Sequence, residues 1–487
     1  MNGKQDDSRR HVVVVGGGLA GTAAATILAE QGVHVTVLER ENFLGGRAGA
    51  WTDTLQDGSA FEMERGFHAF FRNYKNLRSL LRRIDPKLRF LTRLHDYPLL
   101  GPNGQSESFA RLPKIPPFNI IELVRRSPSI HFRDLMKADM DRTNAMLAFD
   151  PERTYQERDE ETAKEFLDGL NFPPKARQML FDVFAHSFFN PEERYSAAEL
   201  LAMFHFYFTR NPEGLVFDVM NQPFSVAFWK PMESYLRDRG VDIYLNSVAE
   251  VIEAQGNRYA VRFRHGDESN VLEADAVVLA VTAPGLKALV AASPSLSPLK
   301  RSVDSLETTL PFAVWRLWLD RFCHPHRPPF AGTTGVGLLE NISLYEKIES
   351  ESKRWSAANH GSIVELHAYG IPESLTEEEI KRDLLAGMHA VYPETCGATI
   401  REERFLRRQD CPAFAPGSHA HRPGVITPLP TVVLAGDFVK LPFPSALMER
   451  ATSSGFIAAN ALLARWKLPE TRVEHGPTHG IFASRKR

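Results

Sequence analysis

Residues His11-Val-Val-Val-Val-Gly-Gly-Gly-Leu-Ala-Gly21 constrain this chain more than any other stretch, because they join a strand, a tight turn and a helix without a break. The β-branched residues Val12 to Val15 predict a strand buried on both faces. Gly16, Gly18 and Gly21 then take the three glycine positions of a dinucleotide-binding turn. Gly16 permits the sharp turn, Gly18 lets backbone N–H groups approach a pyrophosphate, and Gly21 lets the helix from about Leu19 to Gln31 lie close on its strand. The pyrophosphate is expected at that helix N-terminus, where unpaired N–H groups and the helix dipole favour negative charge. The next apolar run, His34-Val-Thr-Val-Leu38, ends at Glu39, whose carboxylate is placed to accept from the adenosine ribose hydroxyls. A carboxylate there also repels a 2′-phosphate, so the expected ligand is FAD or NAD rather than NADP.

With 487 residues the chain exceeds what one hydrophobic core organises, and two or more domains are expected. A net charge of −2 provides no positive field for a nucleic-acid partner, which is excluded on that ground. The cysteines Cys323, Cys396 and Cys411 are few, odd in number and far apart, which fits a reducing compartment without a disulfide framework. None has metal-site spacing, and Cys323-His324-Pro325-His326 reads as a surface loop, so no metal is expected. The first ten residues lack the apolar segment of a signal peptide. The uncharged stretch Val12 to Ala29 has the glycines of the cofactor turn and does not read as a membrane span. A cytoplasmic location is expected.

Past Glu39 lies a second glycine-rich turn, Gly45-Gly46-Arg47-Ala48-Gly49, followed by short alternating runs on either side of Asp57-Gly58 that predict a hairpin. From Asn73 to about Arg239 the pattern is mainly helical, with the clearest helices at 73–84, 132–148, 160–170, 176–185, 197–208 and 231–239. Strands are expected at 241–245, 248–253, 259–264, 271–273, 276–280, 312–319, 362–369 and 431–434, and a last long helix at 445–463. The fold class is therefore α/β with an α+β second domain. Residues 1–72, 228–300 and 408–487 are expected to form a discontinuous Rossmann-like cofactor domain. Residues 73–227 and 301–407 are expected to form a mixed sheet-and-helix substrate domain facing the membrane, with the active site in the cleft between the two.

Further motifs separate FAD from NAD. Gly45-Gly46-Arg47 follows Glu39, and Leu434-Ala-Gly436-Asp437 ends the last core strand ahead of a helix that carries Ser454-Gly455 and Ala458-Ala459. Together with Gly66-Phe67-His68-Ala-Phe70, these residues resemble the flavin amine oxidase/phytoene desaturase superfamily. Within it, the chain is most similar to carotenoid-ring desaturases of the isorenieratene-synthase type. That likeness rests on Arg65 to Leu77, Arg316 to Asp320, Asn341 to Tyr345, Glu365 to Tyr369 and Leu441 to Arg450, and on Lys230-Pro231 where phytoene desaturases carry Gly-Gly.

The resemblance implies a discontinuous FAD-binding domain of that superfamily's type and a role for each matching position. Gly16, Gly18, Leu19, Ala20 and Gly21 would hold the pyrophosphate, with Glu39 and Arg40 at the ribose. Gly46, Arg47 and Ala48 would run along the pyrophosphate and ribityl chain, with Gly66 and Phe67 in a cofactor-lining turn. Val248 would hold the adenine through its backbone, Gly436 and Asp437 would bond the ribityl or phosphate, and the N–H near Met448 would face the flavin O2. His68 is the candidate catalytic acid or base. The implied activity is hydride removal from an activated C–H of an apolar, carotenoid-like or other secondary-metabolite substrate. A flavin oxidase of amines or amino-acid derivatives and a polyene isomerase without net redox remain as alternatives. Gly335-Val-Gly337 lacks a third glycine, so no NADPH domain is expected and oxygen or a quinone would reoxidise the flavin. Eight Lys and Arg with a single acid between Arg72 and Arg93, followed by Ile115, Phe118, Ile120, Ile121, Leu123, Val124, Arg125 and Arg126, suggest peripheral contact with the inner face of a membrane. The aromatic runs Phe181–Phe189, Phe204–Phe208 and Phe224–Trp229 are candidate walls of an apolar substrate channel.

Overall fold

Val12 to Val15 form the centre of a five-stranded sheet in the computed structural model, which describes residues 9–104, 106–108, 113, 118–126, 139–177, 189–209 and 217–483. Across the sheet the order is Asp242–Tyr244, His34–Leu38, His11–Val15, Ala276–Leu279 and Val432–Leu434, and every pair is parallel. The strands on the two sides of His11–Val15 come from different parts of the sequence. Such a switch point opens a crevice at the carboxyl ends of the strands.

Leu19–Glu30 is rich in alanine and buried from Leu19 to Ala29, because it lies between the sheet and the helix Leu447–Arg465. Close approach is built in by glycine on both sides. A Cβ on Gly21 would sit 1.9 Å from the Gly16 carbonyl oxygen, and one on Gly455 would sit 2.2 Å from the Ala20 carbonyl oxygen.

A second sheet has seven strands in the order Ile400–Arg408, Phe312–Leu319, Ile363–Ala368, Asn341–Leu344, Phe330–Thr333, Leu99–Leu100 and Ser106–Glu107. Side chains alternate across it. Ala313, Trp315, Leu317, Ile342, Leu344, Val364, Leu366 and Ala368 pack with Ile380, Leu384 and Met388 of the helix Glu377–Val391. The residues between them, including Phe312, Val314, Arg316, Glu365 and His367, face the other way. A three-stranded antiparallel meander, Ser247–Gln255, Arg258–His265 and Glu268–Ala274, lies beside the first sheet.

The hairpin at Asp57-Gly58 is present as Ala50–Thr54 paired with Ala60–Glu64. The expected helix at 73–84 contracts to Lys75–Leu81, and the one at 197–208 runs as α-helix only to Phe204 before widening into a π-turn at His205–Thr209. The expected helix at 132–148 is described from Met140 to Leu147; its start, most of 176–185 and the aromatic run Phe181–Phe188 lie outside the described residues. A small sheet of Phe70–Phe71, Phe217–Met220 and Leu91–Arg93 was not expected, since its strands are too short to show a period. Among the described residues no helix is long and apolar enough to cross a membrane.

Candidate active site

The crevice at the strand ends opens into one cavity of about 1500 Å³, larger than the roughly 300–1,000 Å³ of an ordinary small-molecule site. It has a polar, glycine-lined end and an aromatic end.

At the polar end the wall is the first glycine turn. Gly16 has φ +104°, and a Cβ there would lie 2.6 Å from the Ala280 carbonyl oxygen, so only glycine closes this turn. A Cβ on Gly18 would meet nothing nearer than 3.8 Å, which leaves space over the backbone at the start of the helix. That helix has no side-chain cap, and its first residues, Leu19 and Ala20, line the cavity. Gly21 lies behind them and serves the helix contact described above. The Glu39 carboxylate accepts from the N–H of Gly17 at 2.7 Å and from the N–H of Glu41 at 2.9 Å. Burial raises its pKa against those two bonds. Arg40 and Val248 also line this end, and Val248 is 38% exposed into it.

The second glycine turn stacks on the first through a bond from the Gly45 N–H to the Gly17 carbonyl at 2.9 Å. Gly46, Arg47 and Ala48 line the cavity, and the Trp229 indole N–H donates to the Ala48 carbonyl at 2.7 Å. Arg47 donates to Asp437 at 2.5 Å, joining this turn to Gly436-Asp437. Gly436 is fixed in turn by its N–H bond to the Ser454 hydroxyl at 2.8 Å. Beside them, the helix Leu447–Arg465 begins without a side-chain cap, and Leu447, Met448 and Ala451 line the cavity. Two uncapped helix N-termini thus face one cavity, linked by two glycine turns and a buried carboxylate. That arrangement fits an extended dinucleotide, with one anionic group at each helix end.

His68 lies between the two ends. Its Nε2 is 3.3 Å from the Arg47 carbonyl, and its Nδ1, buried without a hydrogen-bond partner, is 3.7 Å from the Glu64 carboxylate. Phe67 lines the cavity and stacks on Phe330 with centroids 4.4 Å apart. Gly66 is behind the wall, at φ +116°, where a Cβ would come within 2.7 Å of the His367 ring.

The aromatic end is built from Phe67, Tyr97, Phe189, Phe208, Phe217 and Phe330, among others. Of the three aromatic runs expected to line a channel, Phe204, Tyr207 and Phe208 do so, and so does Phe189. Phe224 and Phe228 do not: both are fully buried in the core against Trp229, because the turn at Ser225–Trp229 faces them inward. The basic segment is also more compensated than its composition suggests. Arg72 and Arg78 pair with Asp218, Arg83 with Glu30 and Arg89 with Asp85. Their partners lie mostly far along the chain, out of reach of a local reading.

One feature of the aromatic end escaped the sequence reading. His367, Tyr369 and Asn341 line the cavity, backed by Glu365 and Arg316. A signal was present, since Glu365, His367 and Tyr369 alternate along a strand whose neighbours are all apolar. Polar side chains on a strand buried on both faces must be bonded to one another or to a ligand.

The profile described as flavin containing amine oxidoreductase matches residues 19–463. A carotenoid phi-ring synthase from Streptomyces griseus is 45% identical, with 93% of this chain and 88% of that protein aligned. A carotenoid phi-ring synthase from Chlorobaculum tepidum is 27% identical, with 97% and 91% aligned. Among solved structures, cyclohexylamine oxidase from Brevibacterium oxydans shares the fold, with a TM-score of 0.66 at 14% identity over 94% of this chain and 100% of that one.

Proposed function

The chain belongs to the flavin-containing amine oxidoreductase family and is a flavin-dependent oxidoreductase, and on that premise we propose that it binds FAD and desaturates the ring end of a carotenoid. The observation that carries this reading is the cavity of about 1500 Å³, in which the dinucleotide end continues into walls rich in aromatic rings, among them Phe67, Tyr97, Phe189, Phe208, Phe217 and Phe330. A small amine would need a compact polar site. A long polyene needs apolar aromatic walls such as these.

Bound flavin supplies a hydride acceptor, and the protein supplies position, dryness and electrostatics. Gly16, Gly18, Leu19 and Ala20 would receive the pyrophosphate and Glu39 the ribose, with Arg40 beside it and Val248 against the adenine. Gly46, Arg47, Ala48, Gly436 and Asp437 would follow the ribityl chain. The helix start at Met448 would stabilise negative charge on the pyrimidine end of the ring. We read His68 as holding the Arg47 turn through its carbonyl contact. His68→Ala is expected to lower the fraction of protein carrying flavin while leaving the rate per bound flavin within about tenfold of wild type. Turnover lost at full flavin content would instead make it a catalytic acid or base.

The exposed Phe118 and Ile121, on a helix whose Arg125 and Arg126 both pair with Glu122 and keep a net positive charge, support docking on an anionic bilayer from which a polyene would enter. Cosedimentation with anionic liposomes at low salt, lost at high salt, is the expected result. Oxygen or a quinone would reoxidise the flavin. Expression in a carotenoid-producing host followed by mass spectrometry tests the activity. A product lighter by pairs of hydrogens is expected. An isomer of unchanged mass would indicate isomerisation, and an unaltered carotenoid with an oxidised amine would indicate an amine oxidase.

A further inference from the structure

His367 on the strand Ile363–Ala368 and Tyr369 just past its end line the cavity, and a connected line of polar side chains runs back from them into the protein. Register explains the line. Arg316 lies opposite Glu365, Val314 opposite His367, and Asn341 opposite His367 on the other neighbouring strand, all on the face turned from the helix Glu377–Val391. Neither holding a dinucleotide nor binding a hydrocarbon requires such groups, and burying them is costly unless they are bonded.

The bonds fix where the protons are. Glu365 is fully buried; burial alone would push its pKa up, but Arg316 and His367 hold it down at about 2, so it is ionised and can only accept. It takes bonds from Arg316 Nε at 2.8 Å, from the Tyr345 hydroxyl at 3.1 Å and from His367 Nε2 at 2.8 Å. We assign the hydrogen to His367 Nε2, because its 2.8 Å contact with the ionised Glu365 outweighs the competing 3.4 Å approach of the Phe67 N–H to the same nitrogen. Nδ1 is then left as an acceptor for the Tyr369 hydroxyl at 2.9 Å, while the Tyr369 oxygen accepts from the Asn341 amide at 2.9 Å. The sequence Tyr–His–Glu has the order of an acid–base relay, in which a carboxylate selects the tautomer and stabilises the imidazolium. Gly66 presses the turn bearing Phe67 and His68 directly onto the His367 ring, which brings the relay next to the junction of the two ends of the cavity.

We propose that Tyr369 is the catalytic proton acceptor of the desaturation and His367 the acceptor of the Tyr369 proton, with Glu365 and Arg316 as positioning residues. This rests on the function proposed above. One substrate C–H bond breaks with its electron pair leaving as hydride to the flavin. The neighbouring C–H gives its proton to the Tyr369 oxygen as the tyrosine proton moves to His367 Nδ1, and the remaining electron pair forms the new C=C bond. Imidazolium against Glu365 holds the positive charge until the proton leaves to solvent.

The test uses the flavin-loaded protein, β-carotene in detergent micelles and anaerobic stopped flow. Wild type is expected to bleach and to show a solvent deuterium isotope effect on bleaching. Tyr369→Phe and His367→Gln are each expected to keep flavin content and melting temperature near wild type and to bleach about 100-fold or more slowly. The isotope effect should vanish in Tyr369→Phe. Wild-type bleaching by Tyr369→Phe overturns the relay and leaves the proposed function standing, whereas no bleaching by wild type overturns both. A readout independent of turnover is the ¹⁵N spectrum of histidine-labelled protein without substrate, assigned with His367→Gln. His367 is expected as the Nε2–H tautomer, shifting toward a mixture in Glu365→Gln; an Nδ1–H ring in wild type cannot accept from Tyr369 and overturns the relay.

Discussion

Gly16 combines a left-handed backbone, φ +104°, with a carbonyl 2.6 Å from where a side chain would begin. Gly16→Ala is therefore expected to cost about 1–3 kcal/mol from backbone strain alone, and to lose bound flavin because the turn must move off the pyrophosphate position. A melting temperature and flavin ratio unchanged from wild type would contradict this reading. In the proposed FAD site Glu39 would act through the acceptor directions left after its bonds from Gly17 and Glu41. Glu39→Gln keeps its shape but halves its acceptor set, and is expected to weaken FAD at least tenfold, about 1.4 kcal/mol, in an equilibrium titration with the flavin-depleted protein. These residues were legible because each has a local reason to be what it is. Gly66 was legible only as part of a motif. Its requirement comes from the His367 ring, 301 positions away in the sequence by subtraction of 66 from 367, and no local pattern encodes such a contact.

The elements that the sequence announced most clearly are those with a strong period and a buried destination. Val12–Val15 and Phe312–Leu319 appear where the β-branched and alternating runs predict them, because tertiary burial and local propensity agree there. Elements of two to four residues, such as Phe70–Phe71 and Phe217–Met220, are held by pairing alone and leave no pattern to read. The Ser225–Trp229 turn shows the opposite case, an aromatic run whose composition suggested a channel wall but whose direction is set by the core. Trp229 is hydrogen-bonded to the site through the Ala48 carbonyl, while Phe224 touches it only through the His68 ring. Trp229→Phe should keep the packing but lose that bond, at about 1 kcal/mol, with a lower flavin-to-protein ratio after gel filtration as the check. Retention of full flavin would mean that the glycine turn holds without it.

Segments far apart in the chain meet at Glu199, which takes bonds from Tyr155, Arg422 and Arg450 with its own surface almost wholly buried. Burial alone would raise its carboxyl, but Arg450 and Arg422 hold it at about 2. A carboxyl whose folded pKa lies below its unfolded value near 4.3 contributes stability above that value, and the contribution is lost as pH falls toward about 2. The expected loss is roughly 3 kcal/mol, seen as a fall in denaturation midpoint between about pH 5 and pH 2. Glu199→Gln should flatten that limb while costing about 3–5 kcal/mol at neutral pH, since two buried arginines lose their counter-charge. An acid limb identical to wild type would assign the acid sensitivity to other carboxylates, with Glu365 next in line by the same sign. At this scale one extended flavin dinucleotide would span the two uncapped helix starts. Mass analysis of the cofactor released when the gently purified protein is denatured tests that most directly. FAD at about one per chain is the predicted result, and colourless protein that takes up no FAD on reconstitution would contradict it.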